Sequence, residues 1–174
     1  SLSTLEADLM NAQWASLRAG TLEAMRKAAE LRDLQVLEAA APATAGFGSL
    51  AALERALPKH VDLGKLVALV DVSGSMSGTP MEAAIALGIL VSELAAPTFR
   101  DRVLTFESVP NWVDLSSHTS IRDKVRACEQ APWGGSTNFE AACERILGAA
   151  EAAKLPPDEV PDLIVFSDMQ FDEA

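Results

Sequence analysis

Cysteine and histidine are scarce in this sequence: its 174 residues include two of each. Cys128 and Cys143 are too far apart for a CxxC motif and occupy apolar helical positions, which predicts buried, reduced thiols and an intracellular protein. His60 and His118 are isolated from each other. The residues that usually bind zinc or act as thiol and imidazole catalysts are therefore not gathered in any motif.

Long apolar runs and a basic N-terminal flank are also absent. The charge-free apolar stretch at residues 83–91 is far shorter than the roughly 20 residues that a membrane helix needs. Acidic side chains in SLSTLEADLM occupy the region where a signal peptide carries basic ones. We therefore expect no membrane span, no secretion and a cytoplasmic location.

Basic charge is in deficit, and the formal net charge is −11. Residues 61–174 contain 18 acidic and eight basic side chains, whereas residues 1–60 are almost balanced. Such an acidic surface repels nucleic acid phosphates and anionic lipids. We expect no direct binding of nucleic acid or membrane by this region, and cations are its more natural ligands.

The N-terminal third of the chain has a helical pattern. Apolar residues at three- and four-residue steps predict a helix over residues 1–40, with a possible break at Gly20-Thr21. Residues 41–49 combine proline, glycine and small residues, which is typical of a linker, and a short helix is predicted at 49–57. We accordingly divide the chain into a helical extension with its linker, residues 1–60, and a second domain, residues 61–174.

Strands and helices alternate in the second domain. The apolar run KLVALVDV at residues 65–72 predicts a strand that is covered on both faces. The remaining predicted elements are a helix from Pro80 to just before Pro97, strands at 102–108 and 111–115 in a hairpin, helices at 121–130 and 139–154, and a strand at 162–168. This order predicts an α/β fold with a doubly wound, mostly parallel sheet.

Oxygen-bearing side chains follow the ends of these strands. Asp71, Ser73 and Ser75 are spaced two apart in DVSGS, so the three side chains can turn toward one point. Thr137 lies in the glycine-rich loop WGGSTNFE, and Asp168 ends the last strand. Because ligand sites in such sheets form beyond the carboxyl ends of the strands, we expect these oxygens to meet. An all-oxygen set favours Mg²⁺, with Mn²⁺ as an alternative, over Zn²⁺.

Ordinary structural roles remain open for the same residue types, which also form turns and helix caps. The turn alternative applies to Asp71, Ser73, Ser75 and Asp168, and the capping alternative applies to Ser77, Thr79, Thr137 and Asn138. The basic side chains of Arg122, Lys124 and Arg126 are expected on a solvated helix face.

The second domain resembles the von Willebrand factor A domain with its metal-ion-dependent adhesion site, over about residues 62–174. It is most similar to an intracellular group of unknown function related to the A domain of the Ro ribonucleoprotein autoantigen. The resemblance rests on DVSGSMSGTPMEAAIALGILVSEL, WGGSTNFE and FSDMQFDEA. It implies that Ser73, Ser75 and Thr137 contact the metal, that Asp71 and Asp168 act mostly through bound waters, and that a partner's carboxylate completes the octahedron.

The sheet of such an A domain continues past the strand that carries the final aspartate, whereas this sequence ends soon after Asp168. An apolar strand such as LIVF would then form an exposed edge, which folded proteins usually cover. We therefore expect a fragment, or a sheet that another element completes.

Three functions are compatible with these patterns. The first is a divalent-cation-dependent module that binds an acidic side chain of a protein partner without catalysis. The second is a metal-dependent phosphohydrolase with Asp71 as nucleophile, although that enzyme type has a second aspartate where Ser73 stands. The third is a scaffold for RNA–protein complexes of the Ro type. A nucleotide-binding P-loop is supported less than the phosphohydrolase, because SGSMSGTP lacks the GK[ST] ending whose lysine reaches the phosphates.

Overall fold

The computed structural model describes residues 2–40, 62–106, 109–132 and 138–168. The chain forms two compact units, one comprising Gln13–Asp62 and the other comprising Ser1–Ala12 with Leu63–Ala174. We call the latter the sheet unit. The division into residues 1–60 and 61–174 stays a prediction.

Helix α1, Leu2–Ala40, confirms the helix predicted over residues 1–40. The possible break at Gly20-Thr21 is wrong, because the helix continues through both residues. Thr21 Oγ1 donates a hydrogen bond to the carbonyl of Leu17 at 2.9 Å, so its hydroxyl is satisfied inside the helix instead of capping a new one.

Within its described residues, the sheet unit has four strands: β1 (Leu66–Asp71), β2 (Arg102–Phe106), β3 (Asn111–Asp114) and β4 (Asp162–Phe166). Their spatial order is β3-β2-β1-β4. Strand β1 pairs in parallel with β2 and with β4, while β2 and β3 form the predicted antiparallel hairpin. The chain therefore has an α/β fold with a mixed sheet.

The part of this unit that the structure describes also has the α-helices α2 (Thr79–Leu94), α3 (Ile121–Glu129) and α4 (Phe139–Ala152). Helix α2 approaches the sheet so closely that a Cβ added at Gly88 would overlap the side chain of Val70. Helix α4 packs through Ala142 and Ile146 in a cluster with Val67, Leu69 and Leu104. Because successive residues of a strand face opposite sides, α2 and α4 cover opposite faces of β1.

Strand β1 is the most deeply buried part of the sheet, as its apolar run predicted. The side chains of Val67 to Val70 are at most 1% exposed. Strand β4 differs, because Leu163 to Phe166 are only half-buried. Among the described residues, no strand pairs with the other edge of β4. The long buried strand thus lies between β2 and β4, and its carboxyl end is flanked on both sides.

Lys124 corrects one expectation, because it is buried instead of lying on a solvated helix face. Its Nζ contacts Glu93 Oε1 at 2.8 Å and Asp101 Oδ1 at 3.1 Å. The ammonium therefore joins α3 to the end of α2 and to the turn before β2. A buried lysine is tolerated here because two carboxylates compensate its charge.

Both cysteines are free thiols. Cys128 is buried, as predicted, and burial raises the pKa of its thiol to about 12. Cys143 is only half-buried. Within the described residues, no helix has the length and apolar character needed to cross a membrane.

Candidate metal centre

The carboxyl ends of β1 and β4 bring polar residues together. Asp71 is the last residue of β1, and β4 ends at Phe166 with Ser167 and Asp168 directly after it. The parallel register pairs Val70 with Phe166, so Asp71 is level with Ser167 on the neighbouring strand. This is the sheet edge at which ligand sites form in open α/β sheets.

Asp71 is fully buried, and both of its carboxylate oxygens accept hydrogen bonds. Oδ1 accepts from the backbone N–H of Ser73 at 2.9 Å, and Oδ2 accepts from the hydroxyl of Ser167 at 2.6 Å. Burying a carboxylate is costly unless such bonds replace water. The two bonds therefore fix the side chain and tie the loop after β1 to the end of β4.

The loop after β1 places two hydroxyls side by side. Ser73 is buried and extended, and a short 3₁₀ turn, Gly74–Met76, follows it. The buried side chain of Met76 anchors this turn, while Ser75 is exposed. Ser73 Oγ lies 3.0 Å from Ser75 Oγ. Three of the five predicted ligands, Asp71, Ser73 and Ser75, are thus joined by direct hydrogen bonds.

Asp168 is exposed and lies beside this group, adjacent in sequence to the serine that contacts Asp71. It also lines an open pocket of about 300 Å³ with Met76, Pro80, Leu87 and Phe166. The fifth predicted ligand, Thr137, lies outside the described residues. The geometry therefore gathers three candidate ligands and leaves a fourth at the rim.

Residues 65–174 match the model of a family described as a domain of unknown function, DUF7788. The chain belongs to this family. The matched region starts one residue before β1 and includes Asp71, Ser73, Ser75, Thr137 and Asp168, so the whole candidate centre lies in the DUF7788 domain.

A relative of the chain is the uncharacterised protein L728 of Acanthamoeba polyphaga mimivirus. The two sequences are 42% identical over 124 residues, which are 71% of this chain and 22% of the viral protein. The chain thus spans about a fifth of the length of this curated relative.

Sequence reasoning missed Ser167 of the DUF7788 domain. Its hydroxyl makes the shortest hydrogen bond to Asp71, across two strands that are 96 residues apart in sequence. Its position in the sequence could have identified it, because Ser167 directly follows an apolar strand and precedes Asp168. When that strand and β1 are parallel neighbours, Ser167 lies at the same sheet edge as Asp71.

The side-chain caps that were predicted for α2 and α4 have different outcomes. Helix α2 has Gly78 as its N-cap, with a φ of 86°, and no side chain caps it. The expected cap by Ser77 or Thr79 is therefore wrong. Asn138 does cap α4, because its side chain accepts a hydrogen bond from Ala141 N at 2.9 Å.

Carboxylates are few at this centre. Among the described residues, no group of three or more His, Cys, Asp or Glu side chains could hold a metal ion. A cation bound here would therefore depend on serine hydroxyls together with the charge of Asp71. Such an all-oxygen set suits Mg²⁺ or Mn²⁺ and not a softer metal.

Proposed function

We propose that this chain is a divalent-cation-dependent protein-binding module of the von Willebrand A type. In this proposal, Mg²⁺, or Mn²⁺ in its place, is held at the carboxyl edge of the sheet and binds a carboxylate of a protein partner. We also infer the doubly wound, mostly parallel sheet of that family. The strand order and the helices on both faces of β1 support this inference.

The observation that carries the proposal is the 3.0 Å separation of Ser73 Oγ and Ser75 Oγ. Neighbouring ligands of an octahedral Mg²⁺ with bonds of 2.0–2.1 Å are about 2.9 Å apart. The two hydroxyls therefore already have the spacing of adjacent ligands, and the backbone N–H of Ser73 donates a hydrogen bond to the buried carboxylate of Asp71.

The five predicted residues take different roles in this proposal. Ser73, Ser75 and Thr137 would contact the ion directly, as the resemblance implies. Asp71 would act mostly through a bound water, because both of its oxygens already accept hydrogen bonds. Asp168 would act in the same way from the exposed side. Neutral hydroxyls leave the cation most of its charge, which favours an anionic oxygen from a partner.

Catalysis by Asp71 is the weaker alternative. A phosphohydrolase nucleophile must reach its substrate, whereas the Asp71 side chain is fully buried and hydrogen-bonded through both oxygens. For the scaffold of the Ro type, the acidic charge of residues 61–174 opposes direct contact with RNA. A binding role without catalysis therefore fits the geometry best.

Calorimetric titration of Mg²⁺ and Mn²⁺ into the EDTA-stripped chain tests the proposal. We expect one-to-one binding that Ser75→Ala weakens at least tenfold and that Ser77→Ala leaves unchanged. Both serines are exposed, so neither variant should unfold the chain.

Acetate then serves as a probe carboxylate. It should displace bound water from the Mn²⁺-loaded chain and lower the relaxation enhancement of water protons. Absence of metal binding by a folded chain, or equal binding by the two variants, would refute the proposed function.

A further inference from the structure

A larger pocket lies at the opposite edge of the sheet from Asp71. Its volume is about 380 Å³, and its apolar lining includes Val67, Phe99, Trp112, Ile146 and Leu155. Val67 lies near the beginning of β1, Trp112 on β3 and Ile146 on the face of α4 that packs on the sheet. Phe99 lies in the turn before β2, and Leu155 lies just after α4. The volume is within the range of about 300–1,000 Å³ that is typical of small-molecule sites.

Two opposite charges flank this apolar pocket. Arg102 and Asp114 both line it, and they are direct partners in the antiparallel register of β2 and β3. Side chains of such a pair project from the same face with Cβ atoms about 5 Å apart. Both residues are exposed, so both charges are accessible from the solvent side of the pocket.

Asp114 is held in its ionised form. Its Oδ1 accepts a hydrogen bond from the backbone N–H of Ser116 at 2.9 Å. Hydrogen bonds from the side chain and backbone of Ser116, with the nearby charge of Arg102, hold the pKa of this carboxyl below its ordinary value. The mouth of the pocket therefore presents one fixed negative and one positive group.

The charges restrict the ligand more than the apolar lining does. An apolar anion would be attracted by Arg102 but repelled by Asp114. An apolar cation would be attracted by Asp114 but repelled by Arg102. A zwitterion satisfies both groups at once. We propose that this pocket binds a free amino acid with an aromatic or large aliphatic side chain. Its carboxylate would pair with Arg102, its ammonium with Asp114, and its side chain would pack against Trp112 and Ile146.

The guanidinium of Arg102 can donate two parallel hydrogen bonds to the carboxylate, which a lysine could not reproduce. The indole of Trp112 supplies a broad apolar surface at the edge of the sheet. The site shares no residue with the candidate metal centre, so this proposal does not depend on the proposed function.

Titration calorimetry on the whole chain provides the test, with three compounds that share one side chain. L-Phenylalanine carries both charges, 3-phenylpropanoate lacks the ammonium, and phenethylamine lacks the carboxylate. We expect saturable one-to-one binding of L-phenylalanine, and at least tenfold weaker binding of each of the other two compounds.

Variants locate the site. Arg102→Gln and Asp114→Asn should each weaken binding of L-phenylalanine at least tenfold. Ala149→Leu should also weaken it, because this exposed helical alanine lines the pocket and a larger side chain would fill the space. Arg126→Gln, at an exposed arginine elsewhere on the domain, should have no effect.

Three results would overturn the assignment. They are no binding of L-phenylalanine or L-leucine by a folded chain, equal binding of the three phenyl compounds, and unchanged binding in both charge variants. The indole N–H signal of Trp112 in a ¹⁵N spectrum adds an independent readout. It should shift on binding of L-phenylalanine, and a titration that leaves it unmoved contradicts the proposed location.

Discussion

Asp71 is the residue on which the candidate centre depends. A fully buried carboxylate loses its hydration, and in this domain two hydrogen bonds compensate the loss. The bond from Ser73 N bends the chain immediately after β1, and this bend brings the hydroxyls of Ser73 and Ser75 to 3.0 Å. One buried charge therefore organises the loop before any ligand arrives.

Removal of the hydroxyl of Ser167 should destabilise the domain. In Ser167→Ala, Asp71 Oδ2 loses its 2.6 Å hydrogen bond and remains buried, which should lower the free energy of unfolding by about 2 kcal/mol. Urea denaturation measures this change. The control is Ser77→Ala, which alters an exposed serine of the same loop and should stay within about 0.5 kcal/mol of the parent. Equal stability of the two variants would contradict the role given to Ser167.

At the scale of elements, α2 is positioned by a close approach to β1. Gly88 faces Ala68, Val70 and Val103, and it leaves no room for a larger residue. Gly148, on α4, has no atom within 4 Å of the place that a Cβ would occupy. A side chain at position 88 would therefore collide with the sheet, whereas a side chain at position 148 would meet no other atom, although both glycines lie inside helices.

Alanine substitutions should separate these two glycines. Gly88→Ala should destabilise the domain by about 1–3 kcal/mol, because Val70 must move within a packed core. Gly148→Ala should stabilise it by up to about 1 kcal/mol, because alanine favours the helix and meets nothing. Thermal unfolding of both variants measures the difference, and a stabilised Gly88→Ala would show that α2 does not lie so close to β1.

The contact of Lys124 with two carboxylates links α3 to α2 and to the turn before β2. Lys124→Met keeps a similar volume but removes the ammonium group that contacts Glu93 and Asp101. Because the side chain of Glu93 is only 5% exposed, the loss should be about 3 kcal/mol or more. Arg126→Met, at an exposed position of the same helix, should change little. Comparable urea midpoints for the two variants would mean that the buried ion pairs do not support the fold.

At the scale of the whole molecule, the elements were predictable because their patterns are local. The apolar run of β1, the hairpin of β2 and β3, and the capped helix α4 can each be read from short windows. The long-range partners could not be read in this way. Lys124 meets carboxylates 31 and 23 residues away in sequence, and Ser167 meets Asp71 across 96 residues.

For the candidate centre, too, the sequence predicts contacts between residues that are close in sequence but not contacts between distant ones. The DVSGS spacing predicts that Asp71, Ser73 and Ser75 converge, and the structure brings them together. The helical pattern around Lys124 could not reveal its burial. Amphipathic periodicity predicts which face of a helix is apolar, but it does not predict which carboxylates from other elements contact the polar face.

The most direct test of the central claim is to locate the cation. Mn²⁺ added below one equivalent to the ¹⁵N-labelled chain broadens the amide signals nearest to it. The proposal predicts selective broadening at residues 73–76 and at Ser167 and Asp168, reversal by excess Mg²⁺, and no selective effect in Ser75→Ala. Broadening confined to other acidic segments, such as residues 158–162, or unaffected signals at residues 73–76 at one full equivalent, would contradict it.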